Sequence, residues 1–133
     1  MNDCIFCQIS KGEKPAWKVF EDEHVLAFFD YNPASEYHTL VIPKKHYKDI
    51  FDIPEDELQQ VISSIKQITN LYKEKLGINN IQIVNSSGKE AQQEVFHIHF
   101  HIVPRKNGDN QDICWTPQIE IRDKFSELLN KLK

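Results

Sequence analysis

The stretch EVFHIHFHIVPR, Glu94 to Arg105, sets His97, His99 and His101 on every second position, with Ile98, Phe100 and Ile102 on the alternate ones. A period of two is that of a β-strand, whose successive side chains point to opposite faces. The three imidazoles therefore share one face. Phe96, Ile98, Phe100 and Ile102 share the other, which must be buried against a neighbouring element. Half of the chain's six histidines fall within these five residues. Solvent-facing strands are ordinarily filled with Thr, Lys, Glu or Arg, and a row of imidazoles is self-repelling once protonated. The pattern points to metal ligation or catalysis.

Outward from this strand, the other elements read in turn. NIQIVNSS precedes it as a strand, across a polar loop containing Gly88. HTLVIPK is a strand ended by Pro43, and AWKVFED with HVLAFFDY reads as a hairpin around the acidic cluster Glu21 to Glu23. Between the third and fourth strands, Leu58, Val61, Ile62, Ile65, Ile68 and Tyr72 recur at three- and four-residue steps. They predict a long amphipathic helix with Asp52 as N-cap, Pro54 in the first turn and Gly77 at the C-terminal left-handed position. KNGDNQDICWTPQ reads as loop, and Ile121, Phe125, Leu128, Leu129 and Leu132 mark a short C-terminal helix. The expected class is α+β: a five-stranded, mostly antiparallel sheet with helices on one side, in a single domain spanning 1–133.

Composition limits the functions. With 40% hydrophobic and 27% charged residues the chain is expected to be globular, and a net charge of −4 argues against coating a nucleic-acid polymer. The apolar runs are shorter than a membrane span, and MNDCIFCQISKGEKP has no signal-peptide pattern, so no membrane partner is expected and the expected address is the cytoplasm. Three cysteines cannot all pair within the chain. Cys4 and Cys7, in CIFC, have the spacing with which two thiolates reach one tetrahedral ion. His46, just beyond a strand end, and His97 are the candidates to complete a closed structural zinc site. Two ordinary buried cysteines, or a redox pair, are the other readings.

These residues together resemble the histidine triad (HIT) family. HIHFHIVPR is similar to its signature, and CIFCQISKGEKP, KVFEDEHVLAFFDYNP, HTLVIPKKH and GKEAQQEVFHIHFHIVPR appear in the family's order and spacing. The resemblance implies the family's five-stranded antiparallel sheet, commonly paired into a homodimer, and hydrolysis at the α-phosphate of purine nucleotides. His99 matches the nucleophile that forms a nucleotidyl-histidine intermediate. His101 matches a donor to the α-phosphate, and His38 the histidine that supports the triad from the adjacent strand. In members that keep the C-x-x-C pair, the positions of Cys4, Cys7, His46 and His97 hold zinc away from the substrate.

Asp30 matches a carboxylate that accepts from the ribose hydroxyls, and Phe6, Ile9, Phe28 and Tyr31 match positions that enclose the base, although these four could equally be core. Gln93 matches a glutamine that reaches the phosphates or leaving group, with Asn85 and Ser86 or Ser87 in the neighbouring polar loop. The chain departs from the family at Gln92, where glycine is common, at Lys14, where an apolar base-packing residue is frequent, and at Glu94, where some members carry a hydroxyl. The branch implied is a nucleoside 5′-phosphoramidate hydrolase. The alternatives are a dinucleoside polyphosphate hydrolase, a low-turnover nucleotide-binding scaffold, and a hydrolase using the histidine row as an open zinc site. Trp115 and Pro117 are expected to belong to a segment that reaches the dimer partner.

Overall fold

The structure, a computed structural model, describes residues 3–133. A short helix α1 (Ile5–Ser10) leads into strands β1 (Lys18–Glu21), β2 (Val25–Phe29) and β3 (Thr39–Pro43). The long helix α2 (Glu55–Leu76) follows, then β4 (Ile81–Asn85), a 3₁₀ turn (Lys89–Ala91) and β5 (Phe100–Pro104). A second 3₁₀ turn (Ile119–Lys124) runs into α3 (Phe125–Asn130). The strands form one sheet in the order β1-β2-β3-β5-β4, every neighbouring pair antiparallel. The histidine strand is thus interior, and β4 is an edge.

Alternation along the strands builds two cores. Val25, Ala27, Val41, Phe100 and Ile102 point to one face, where Val61, Ile65, Ile68 and Tyr72 of α2 cover them. Leu26, Phe28, Leu40 and Ile42 point to the other, where Phe6 and Ile9 of α1 meet them. Helices therefore lie on both faces, not on one as the sequence suggested. Six residues with a single cysteine, preceded by Cys4 at the cap, give too little periodicity to announce α1, yet without it the second face would stay wet.

The anticipated helix forms with two changes. Pro54, not Asp52, occupies the N-cap position and supplies no side-chain cap. The Asp52 carboxylate instead accepts from the Lys48 N–H at 2.7 Å, in the turn before the helix. Glu55, Asp56 and Glu57 fill the first turn, where the helix dipole favours acidic groups. Ile62, counted in the apolar stripe, is exposed, while Val61 beside it is fully buried. Gly77 takes φ +69°, and its N–H reaches the Lys73 carbonyl at 3.0 Å, closing the helix in the left-handed geometry glycine permits. Tyr72 then ties α2 to β3: its hydroxyl lies 2.6 Å from Thr39 Oγ1, whose own proton goes to the Tyr37 carbonyl, so Tyr72 is the donor.

The histidine strand is shorter than its alternation implied. Regular pairing starts at Phe100, because the last residue of β4, Asn85, already pairs with it. His97 and His99 lie on the approach, held by a bond from the Ile98 N–H to the Tyr47 carbonyl at 2.7 Å. Facing still alternates, Ile98 being fully buried in the α2-side core, but Phe96 is exposed rather than part of the apolar face. The C-terminal helix forms as expected, preceded by its 3₁₀ turn, and Phe125, Leu128 and Leu129 remain exposed in the single chain.

Candidate functional site

Four side chains converge behind α1. Cys4 caps the helix, its sulfur accepting from the Cys7 N–H at 3.4 Å, and so faces the same way as Cys7 Sγ. His46, three residues past β3, brings Nδ1 to 3.3 Å from Cys7 Sγ. His97 Nδ1 lies 3.5 Å from each sulfur, and the four ligand atoms all fall within 4.8 Å of one another. Metal–sulfur and metal–nitrogen bonds of about 2.3 and 2.0 Å at tetrahedral angles put neighbouring ligand atoms roughly 3.5 Å apart, so the spacing fits one zinc-sized ion. His97 donates from Nε2 to the Pro43 carbonyl at 2.8 Å, which leaves Nδ1 as a lone pair aimed at the sulfurs. Burial pushes the His97 imidazole down to about 4 and the Cys7 thiol up.

The next histidine is held the opposite way. His99 lies 2.8 Å from the His97 carbonyl through Nδ1; a carbonyl only accepts, so the proton sits on Nδ1 and Nε2 carries the lone pair. Its backbone is fixed too, for Asn85 Nδ2 donates to the His99 carbonyl at 3.0 Å, where no strand partner remains. Behind Asn85 runs a relay: Ser87 Oγ donates to Asn85 Oδ1 at 2.9 Å and accepts from the Ile50 N–H at 3.0 Å. Burial pushes the His99 imidazole below its ordinary range, which favours the uncharged ring with its lone pair on Nε2.

His101 takes its proton state from His38. The Ala34 N–H donates to His38 Nδ1 at 2.9 Å, which leaves the His38 proton on Nε2, 2.9 Å from His101 Nδ1 and 3.3 Å from Asp30 Oδ2. With His101 Nδ1 accepting, its own proton is on Nε2. His99 and His101, with ring centroids 5.1 Å apart, thus hold opposite tautomers, one a base and one a donor. Burial pushes His101 down to about 4 and lowers His38 against the opposing pull of Asp30. Asp30 is oriented in turn by the Asn32 N–H, 2.9 Å from Oδ1.

Both histidines line a cavity of about 830 Å³, within the range of small-molecule sites. Its lining includes the apolar Phe6, Ile9 and Phe28, the polar Ser86, Lys89, Gln92 and Glu94, and Asp30 and Tyr31. Phe6 sets its ring edge-on to His97 and His99, 5.9 and 5.1 Å between centroids, and so touches both the cysteine-side cluster and the cavity.

The structure moves three residues from their anticipated places. Asn85 does not line the cavity; it holds the His99 backbone, a bond that no spacing in the sequence announces. Gln93 reaches the cavity wall but has its amide fully engaged, Oε1 accepting from the Gly88 N–H at 2.8 Å and Nε2 donating to the Lys48 and Val95 carbonyls at 2.7 and 3.1 Å. Here it positions the loop rather than reaching toward phosphates. Lys14 is exposed and outside the cavity lining, where Pro15, Ala16 and Trp17 stand instead. Gln92 keeps a left-handed backbone, φ +73°, at the position where glycine was expected.

The HIT domain model matches residues 11–108. The chain belongs to the HIT domain family. It is 53% identical over 127 residues to an uncharacterized HIT-like protein of Methanocaldococcus jannaschii, covering 96% of this chain and 90% of that one. It is 35% identical to the adenosine 5′-monophosphoramidase of Candida albicans, over 98% of this chain and 89% of the relative. Among solved structures, a HIT family protein from Bacillus anthracis superposes with a TM-score of 0.86 at 34% identity, over 99% of both chains. A zinc-bound histidine triad family protein from Mycobacterium smegmatis superposes with a TM-score of 0.79 at 35% identity, over 98% of both.

Proposed function

We propose that this HIT domain hydrolyses purine nucleoside 5′-phosphoramidates through a nucleotidyl-histidine intermediate. The observation that carries the reading is the opposed tautomers of His99 and His101 on one cavity wall. His99 Nε2 attacks the α-phosphorus, the phosphorus–nitrogen bond breaks, and the amine departs after taking up a proton. Water then adds its hydroxyl to phosphorus and returns a proton as the phosphorus–imidazole bond breaks, releasing the nucleoside monophosphate. His101 Nε2–H donates to the phosphoryl oxygen on which charge grows. Asp30 accepts from the ribose hydroxyls, and Phe6, Ile9, Phe28 and Tyr31 face the base. The Candida relative, named a monophosphoramidase, supports the substrate class.

Cys4, Cys7, His46 and His97 form the site we assign to zinc, on the donor set, the spacing and the zinc-bound Mycobacterium relative. Bound there, the ion would supply cross-linking of α1 to the approach of the histidine strand and no chemistry at phosphorus. We also propose a homodimer through the β4 edge, where Ile83 stands 52% exposed beside an 83% exposed Trp115. A single-chain mass in light scattering at micromolar concentration would exclude it.

Lys89, in the cavity lining, favours a second reading: an anionic leaving group, as in a dinucleoside polyphosphate. Side-by-side hydrolysis of adenosine 5′-phosphoramidate and diadenosine tetraphosphate separates the two, with His99→Ala as control. Faster cleavage of the amidate supports the first reading, and faster cleavage of the tetraphosphate the second. Tight nucleotide binding without turnover by the wild type would make the domain a binding module and defeat both.

A further inference from the structure

Trp17 and Tyr31 stand at the rim of the cavity with most of their surface in water, 63% and 83% exposed. Their rings are nearly parallel, 25° between planes, with centroids 6.5 Å apart, at the loose end of what stacked pairs adopt. Neither contributes to either core. Their backbones, by contrast, are firmly mounted. The Trp17 carbonyl accepts from the Phe29 N–H at 3.0 Å, extending the β1–β2 pairing by one residue. Tyr31 sits inside the turn that Asp30 Oδ1 closes on the Asn32 N–H.

Their place along the cavity is also defined. Ala16, next to Trp17 in the chain, packs against the cluster of Phe6, Ile9 and Phe28, so Trp17 stands beside the apolar part of the lining. Tyr31 follows Asp30 directly. With phosphorus at His99 and ribose at Asp30, a base would run against the apolar lining, toward these two rings.

We infer that Trp17, together with Tyr31, forms an aromatic lip that stacks on the outer part of a bound purine, and that Trp17 is a specificity-determining residue. The inference deepens the nucleotide reading above and rests on it. A two-ring base reaches farther from the ribose than a one-ring base and offers more π-surface, so the lip favours purines by contact area. Because the base lies remote from the bond that breaks, the lip acts on substrate binding and leaves the chemical step alone.

The test is steady-state hydrolysis of adenosine and uridine 5′-phosphoramidates by the wild type, Trp17→Ala and Trp17→Phe. Trp17→Ala is expected to raise KM for the adenosine compound on the order of ten-fold with little change in kcat, and to narrow the adenosine-over-uridine preference by a similar factor. Trp17→Phe should restore most of both. In a Trp115→Phe background Trp17 is the one remaining tryptophan, and AMP should quench its emission. If the wild type turns over but Trp17→Ala keeps both its KM and its base preference, the lip is overturned and the hydrolase reading stands. If the wild type neither cleaves the amidates nor binds AMP, both fall together.

Discussion

The two ends of the histidine row, two positions either side of His99, have opposite surroundings. His97 is fully buried, donates from Nε2 to a carbonyl and turns a lone pair toward two sulfurs. His101, with 27% of its side chain exposed, accepts at Nδ1 from another histidine and turns a proton toward the cavity. The residue type and the face of the strand are the same; the partner of the other ring nitrogen differs. An imidazole has one proton to place when neutral, so whichever nitrogen is engaged decides what the other can do. The difference teaches that one repeated residue can offer a lone pair to two sulfurs, a lone pair to the cavity or a proton, because the neighbours, not the strand, fix the tautomer.

Substitutions along the row test that division. His99→Ala should lower kcat on the order of a thousand-fold or more, since no other lone pair faces the cavity from this strand. A stopped assay with adenosine 5′-phosphoramidate measures it, and substantial residual turnover would remove the intermediate from the mechanism. His101→Ala should cost roughly a hundred-fold in kcat while the protein stays folded, the scale of one lost donor to developing charge. His97→Ala should show the reverse, a loss of about 3 kcal/mol or more in urea unfolding, because it opens a cavity and orphans the buried Pro43 carbonyl. Its folded fraction should keep most of the wild-type kcat. Equal damage to stability and turnover at both ends would collapse the distinction.

Acidity gives a smaller effect. An unfolded imidazole takes its proton near 6.5, whereas burial pushes His101 to about 4 in the fold. Between these values the unfolded chain binds more protons, so this residue's contribution to stability is fully present above pH 6.5 and is lost as pH falls toward 4. The urea midpoint should fall across that window, and by less in His101→Asn. The smallest effect is at Gln92, held at φ +73° with exposed surroundings. Gln92→Gly should stabilise by about 0.5 to 1 kcal/mol, the left-handed penalty less the entropy glycine adds to the unfolded chain.

Much of this was legible in the residues themselves. The alternation around His99 set three rings on one face even though the ladder begins only at Phe100, because facing depends on local backbone extension and not on having a strand neighbour. The stripe of α2 was readable from spacing, but Ile62 against Val61 was not, since adjacent positions at the edge of a stripe are separated only by what packs on them. The C-x-x-C pair pointed to a shared ion, yet not to the helix that carries it. Least legible were the amides. Asn85 and Gln93 have donors and acceptors that serve a phosphate or a carbonyl equally well, and only the nearness of the His99, Lys48 and Val95 carbonyls decides between them.

One bond has a consequence for how this architecture can change over generations. The proton on His99 is held by the carbonyl of His97, an atom of the main chain. Every amino acid brings that oxygen, whereas only a few bring a ligand. A lineage that exchanged the imidazole at position 97 would forfeit its contacts with Cys4 and Cys7 but inherit the His99 tautomer unaltered. The cluster behind α1 uses the side chain at position 97 and the His99 tautomer uses its main chain, so the first can be lost while the second is kept.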